Sequence, residues 1–267
     1  ADGEGHDPEQ MQPRTLALLE ALADLGDRHE QLMQQDDLLQ AARTADPTVT
    51  QVCLTDPDAR MLPINSEGMM QIAYNIQSTV DARHCLIADF SVENCKDVYL
   101  LSPMAESLKT EFQIEHPIEL LADKGYHSGK GIHECGELGV TTYVAFPEQT
   151  YRERPKGFQK ADFRYDATQD AYICPNNKAL HTSGSWHAKH GRSGVLQTRY
   201  QLYRSSYTVC ADCPFKTQCL SRANIQQRHG RTIERSEYEQ SVQQNRERIL
   251  LHRDKYKRRQ AIVEHPF

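Results

Sequence analysis

A chain of 267 residues with 38% apolar and 25% charged residues is long enough to bury a core and too apolar to be disordered throughout. No apolar run approaches the length of a membrane span, and no charged segment followed by an apolar one marks the chain for export, so the expected compartment is the cytoplasm and no membrane is an expected partner. The net charge of −6 conceals an asymmetry: residues 1–60 carry thirteen acids against four Lys/Arg, while residues 220–259 carry eleven Lys/Arg against five acids. That basic stretch suits either a polyanion or a solvated helix face.

In chain order, residues 1–12 hold little to bury and read as disordered. Over residues 13–45 leucines recur at helical spacing (Leu16, Leu19, Leu22, Leu25, Leu32, Leu38, Leu39) with acids opposite, which predicts an exposed helix or helical hairpin. Pro47 and Pro57 break it. Residues 71–80 alternate apolar and polar side chains, and residues 85–92 follow after a short link, the pattern of an antiparallel hairpin. A helix is expected over 97–112 and a short buried strand over 118–123, ending in Asp123. Ser128 caps a helix to about Glu137, Gly139 stops it, and residues 141–146 form a strand closed by Pro147.

Strand, strand, helix, strand, helix, strand is the order of a mixed α/β sheet. Residues 151–225 differ, being rich in Cys, Tyr, Arg and Ser, and read as an inserted subdomain; from Glu234 to Val263 the chain is helical and charged. The expected division is an acidic helical linker over 1–49, an α/β core over 50–150, the Cys-rich insert over 151–225 and a closing helix over 226–267.

Two acids stand out by position. Asp123 lies at the C-terminal end of a strand in an open α/β sheet, where side chains point into the ligand crevice; alone it serves equally as a loop acid or cap. Glu264 lies near the end of a basic helix and alone is an ordinary surface charge. Asp123-Lys-Gly-Tyr126 after a short apolar strand, and Val263-Glu-His-Pro-Phe267 far downstream, resemble the second and third acidic motifs of bacterial insertion-sequence DDE transposases. Residues 54–60 (LTDPDAR), 74–81 (YNIQSTVD), 162–166 (DFRYD) and 172–175 (YICP) match in the same order, in the pattern of the subgroup with a cysteine-bearing insert before the catalytic Glu. The resemblance covers about residues 50–267.

This resemblance implies an RNase H-like mixed sheet with flanking helices, preceded here by the N-terminal helical segment and interrupted by a zinc-ribbon-like insert. It implies DNA strand cleavage and transfer at transposon ends and target, by a protein acting as a homodimer. Asp123 matches the second catalytic acid and Glu264 the third. Tyr256 and one of Arg258 or Arg259 match the Tyr-Arg-Glu grouping, and with Arg253, Lys255 and Lys257 they make the expected DNA-binding face. The implied cofactor is Mg²⁺ or Mn²⁺ on Asp123 and Glu264: two such ions about 3.5–4 Å apart activate the attacking oxygen and stabilise the leaving one. The chain departs from the family at the first acid. No apolar-Asp-Gly-Thr motif precedes the helical segment, Asp2-Gly3 runs on into Glu-Gly-His, and Asp56 and Asp58 match a separate Asp-Pro-Asp motif. The expectation is a fragment truncated at both ends that shows two of three acids and cuts little alone.

Cys174, the Cys210-x₂-Cys213 pair and Cys219 have the composition of a four-thiolate zinc site, with His181, His187 and His190 as substitutes for one Cys and free thiols in a loose loop as the alternative. Cys53, Cys85, Cys95 and Cys135 are scattered and read as small core residues. Two other functions compete with the enzyme fragment: a non-enzymatic zinc-bearing DNA-binding module, and a decayed transposase remnant without activity.

Overall fold

The computed structural model describes residues 13–45, 49–63, 68–146, 157–190 and 196–266, so the expectations for residues 1–12, Pro47 and Pro147 lie outside the described residues. The chain divides into two compact units, residues 1–75 with 93–95, and residues 76–92 with 96–267.

In the first unit the leucine-spaced stretch is one unbroken helix, α1 (Pro13–Ala45), with no buried residue. Its Leu18, Leu19, Leu22, Leu25, Leu32 and Leu38 all face solvent. Strands β1 (Arg60–Pro63) and β2 (Met70–Ala73) pair antiparallel, with Arg60 opposite Ala73. The Asp-Pro-Asp motif braces this hairpin: Asp56 accepts the Tyr74 hydroxyl at 2.9 Å and the Asp58 backbone N–H at 3.3 Å.

The strand expected over 71–80 is therefore two. β2 pairs with β1, whereas β3 (Asn75–Val80) pairs with β4 (Ile87–Glu93). Asp81 closes the link between β3 and β4 by accepting the His84 N–H at 2.8 Å. A 3-10 turn over Asp97–Tyr99 leads into α2 (Leu101–Glu111). Then come β5 (Ile118–Ala122), α3 (Gly129–Glu137) and β6 (Val140–Val144). β5 and β6 are parallel, Ile118 opposite Val140 and Ala122 opposite Val144. Parallel neighbours need a crossover, and α3 supplies it. The Ser128 hydroxyl caps α3 by accepting the Gly131 N–H at 3.3 Å, and Gly139, at φ +72°, turns the chain back in a conformation that favours glycine. Leu101, Ala105, Ala122, Ile132, Cys135, Val140 and Val144 close the first core. Cys135 is fully buried there, and burial pushes its thiol up to about 12.

The second core is an antiparallel sheet. It contains β7 (Arg164–Asp166), β8 (Ala171–Ile173), β9 (Ala179–His190), β10 (Leu196–Arg204) and β11 (Thr232–Ser236), in the order β11-β10-β9-β8-β7. Tyr172, Leu180, Tyr203, Ile233 and Phe163 pack on it. Between β10 and β11 lie three short helices, α4 (Tyr207–Ala211), α5 (Lys216–Cys219) and α6 (Arg222–Gln226). The sheet of the insert runs past residue 225, because Thr232–Ser236 completes it against Tyr200–Arg204. The helix expected from Glu234 is accordingly a strand followed by α7 (Glu239–Leu251) and α8 (Arg253–Glu264), which part at His252, where ψ is 47°. No helix among the described residues is long and apolar enough to cross a membrane.

α7 is fastened to the free edge of β6. The Asn245 side chain, fully buried, donates to the Val144 carbonyl at 2.7 Å and accepts the Val144 N–H at 2.9 Å. Arg248 donates to the Thr142 carbonyl at 3.0 Å. A sheet edge is thereby satisfied by side chains in place of another strand.

Candidate functional site

The C-terminal end of β5 carries Asp123, which is half-buried. Its Oδ1 accepts the Gly125 N–H at 2.7 Å, so the carboxylate caps the 3-10 turn Lys124–Tyr126 that follows. A Cβ at Gly125 would stand 2.9 Å from Asp97 Oδ2 and 3.0 Å from Asp123 Oδ1. The glycine thus lets two carboxylates from separate segments close on one point of backbone, where any side chain would push them away.

Asp97 is held there by Gln77 of β3, which is 2% exposed and donates to Asp97 Oδ1 at 3.0 Å. Gln77 in turn accepts the Tyr126 hydroxyl. Burial, with Asp97 and Asp123 close by, pushes the Tyr126 phenol up to about 12, which keeps it a neutral donor. Neither Asp97 nor Gln77 stands out in the sequence. Asp97 reads as the first-turn acid of a helix, and Gln77 sits at the polar position of an alternating strand. Only the coincidence of Gln77 with the matched run 74–81 singles it out.

α8 packs on β5. Lys255 donates to both carboxylate oxygens of Glu119 at 2.7 Å and sits over the Tyr143 ring, fixing the start of the helix beside the start of the strand. This contact raises the Lys255 pKa and lowers that of Glu119. Tyr256 and Arg259 are half-buried on the face toward the end of the strand. Burial raises the Tyr256 phenol, with Arg259 opposing the rise and Asp123 adding to it. Of the two arginines left open by the sequence, Arg259 is half-buried and its charge acts on Tyr126 and Tyr256, whereas Arg253, Lys257 and Arg258 are exposed.

Glu264 is exposed and accepts the Gln260 amide at 2.9 Å. Glu264 sits about 80° round the helix from Tyr256. Asp123, Tyr256 and Arg259 are thus brought together, whereas the hydrogen bond of Glu264 is to Gln260 of its own helix.

The cysteines of the insert surround a second feature. Cys174, Cys210, Cys213 and Cys219 line one cavity of about 30 Å³, space for a single water or ion; none of His181, His187 and His190 lines it. Cys174 opens a tight turn: its N–H donates to the Lys178 carbonyl at 2.9 Å, and its Sγ accepts the Lys178 N–H at 3.3 Å. The Asn176 amide donates to Cys213 Sγ at 3.6 Å. Burial raises the Cys219 thiol, Arg231 opposes that rise, and the other three thiols add to it. All four are free thiols, and no group of three or more His, Cys, Asp or Glu among the described residues is arranged to hold a metal ion.

Neither a curated protein nor a solved structure matches the chain. One family does, over residues 173–267, the span that holds Cys174 through Cys219 together with α7, α8 and Glu264, and its description is a transposase DDE domain. Over those residues, about a third of the chain, the sequence is similar to the transposase DDE domain.

Proposed function

We propose that this chain cleaves and transfers DNA strands on an RNase H-like core, with Asp123 and Glu264 as the carboxylates that would hold the catalytic metal. What supports the reading is the packing of α8 on β5, with Tyr256 and Arg259 near Asp123, together with the similarity of the span that carries α8 and Glu264 to a transposase domain. Hard carboxylate oxygens are the donor type that Mg²⁺ or Mn²⁺ takes, and partly exposed acids leave coordination positions for water and phosphate. Divalent ions at such carboxylates supply a nucleophilic oxygen and neutralise charge on the phosphate. Arg259 steadies a DNA phosphate through a charge-assisted hydrogen bond. Tyr126 stays protonated and, through Gln77, keeps Asp97 beside Gly125. Because no further acid of the family's first-strand type is present in this sequence, metal affinity and cutting by the chain alone are expected to be weak. We place the reaction in the cytoplasm and expect a dimer on DNA.

The test is nicking of end-bearing DNA with Mg²⁺ or Mn²⁺, in full transposase with the first acid present. Asp123→Asn and Glu264→Gln are each expected to lower the rate at least 10²-fold, a conservative figure against the total loss of ligand charge. Full activity in either variant would refute the assignment.

In the insert, the four thiolates would hold a structural zinc. Convergence of four cysteines on one ion-sized cavity, with N–H donors on Cys174 and Cys213, supports this; the outward place of the histidines favours an all-thiolate set.

A further inference from the structure

Arg231, one residue before β11, lines the cavity of the four cysteines. Its Nη1 donates to the Cys219 carbonyl at 3.0 Å and its Nη2 to the Phe158 carbonyl at 3.1 Å, and the guanidinium lies over the Phe163 ring at 5.2 Å. Its Nε is buried with no hydrogen-bond partner among the described residues. No carboxylate among those residues forms an ion pair with it. An arginine stays charged in a protein, and a half-buried cation set among carbonyls and a ring meets only partial charges.

The cavity wall supplies no acid either. Beside the four thiols it carries Lys178, Lys216 and Arg231, and neither Asp nor Glu. Lys216 donates to the Ala211 carbonyl at 3.2 Å, which holds its ammonium at the wall. Polar groups meet the sulfurs themselves: the Lys178 N–H at Cys174, the Asn176 amide at Cys213, and the Ser205 hydroxyl 3.4 Å from Cys210 Sγ. At Cys219 the charge of Arg231 opposes the rise that burial gives the thiol. A wall of cations and N–H donors without acids fits an anion, and four thiolates around a divalent ion are together a dianion.

We propose that Arg231, with Lys216, is the counter-charge that holds the four cysteines as a complete thiolate set around zinc. This role rests on the reading of the insert as a zinc site and adds to it residues outside the ligand set. Arg231 acts here as a positioning residue. Its two carbonyl bonds tie the segment of Cys219 to Phe158, and its charge offsets the negative charge gathered in a poorly solvated cavity.

The reduced, metal-free full chain is titrated with Zn²⁺ against a chromophoric chelator, and with Co²⁺, whose visible spectrum reports the thiolates around it. The parent is expected to bind one ion with a four-thiolate spectrum. Arg231→Gln lowers zinc affinity about 10–100-fold, whereas Arg231→Lys, which keeps the charge and loses the planar fork, recovers most of it. Equal loss in the two variants overturns the proposal, since it would mean that the carbonyl bonds matter and the charge does not. Where circular dichroism shows that Arg231→Gln does not fold, Lys216→Gln decides: severalfold weaker zinc is expected, and unchanged affinity overturns the proposal. A parent that takes up no zinc, or whose cobalt spectrum shows fewer than four thiolates, overturns the four-thiolate zinc reading itself. A parent that binds zinc beside an Arg231→Gln chain that binds it as tightly overturns the role of Arg231 alone.

Discussion

His127 follows Tyr126 in the turn after β5, and its Nε2 is buried with no hydrogen-bond partner among the described residues. Burial pushes the imidazole below its ordinary pKa. The unfolded chain therefore takes up the proton first, at about pH 6.5. The neutral ring's contribution to stability is complete above that value and is lost as pH falls through the lower folded value. The melting temperature is expected to drop on acidification below about pH 6.5, and His127→Gln to flatten that dependence. Parallel profiles for the two proteins would show that the ring is not the titrating group. At the same scale, Asp123 caps its own turn through Gly125 and lies near Tyr256.

Asn245 decides how α7 meets β6. One carboxamide satisfies both the N–H and the carbonyl of Val144 in full burial. Asn245→Ala leaves both groups dry and unpaired, at a cost of about 2–4 kcal/mol read by urea unfolding, with the slope of the transition unchanged. A loss below about 0.5 kcal/mol would mean that water replaces the side chain. Elements of this part of the chain were legible where local chemistry is explicit. Ser128 and Gly139 bound α3, and the apolar run over 118–122 marks β5. Elements defined by distant partners were not legible. β11 pairs with Tyr200–Arg204, some thirty residues back, and its Thr-Ile-Glu-Arg-Ser pattern reads equally as the start of a charged helix. Asp97 was missed for the same reason, since Gln77 and Gly125, which give it meaning, come from other elements.

The two cores of the larger unit are built differently. The first closes largely on aliphatic side chains of two helices and two parallel strands; the second rests on Phe163, Tyr172, Leu180, Tyr203 and Ile233, with Cys174 and Cys219 packed against them. If the proposed zinc binds, a core this small is expected to lean on it. Purified chain is expected to carry one zinc. A strong chelator or Cys213→Ser should lower the unfolding midpoint followed by Trp186 emission, while far-ultraviolet circular dichroism retains the helical signal of the first core. An unchanged midpoint and no zinc in the purified chain would leave the thiols as packing residues only.

The anchoring of Lys255 on Glu119 makes α8 a ruler. Each residue gained or lost between that ion pair and Glu264 turns the terminal carboxylate by about 100° and moves it about 1.5 Å along the axis. Length in this segment is consequently a constraint of its own: a single-residue insertion or deletion re-aims Glu264 relative to the anchored start of α8 while leaving the helix intact.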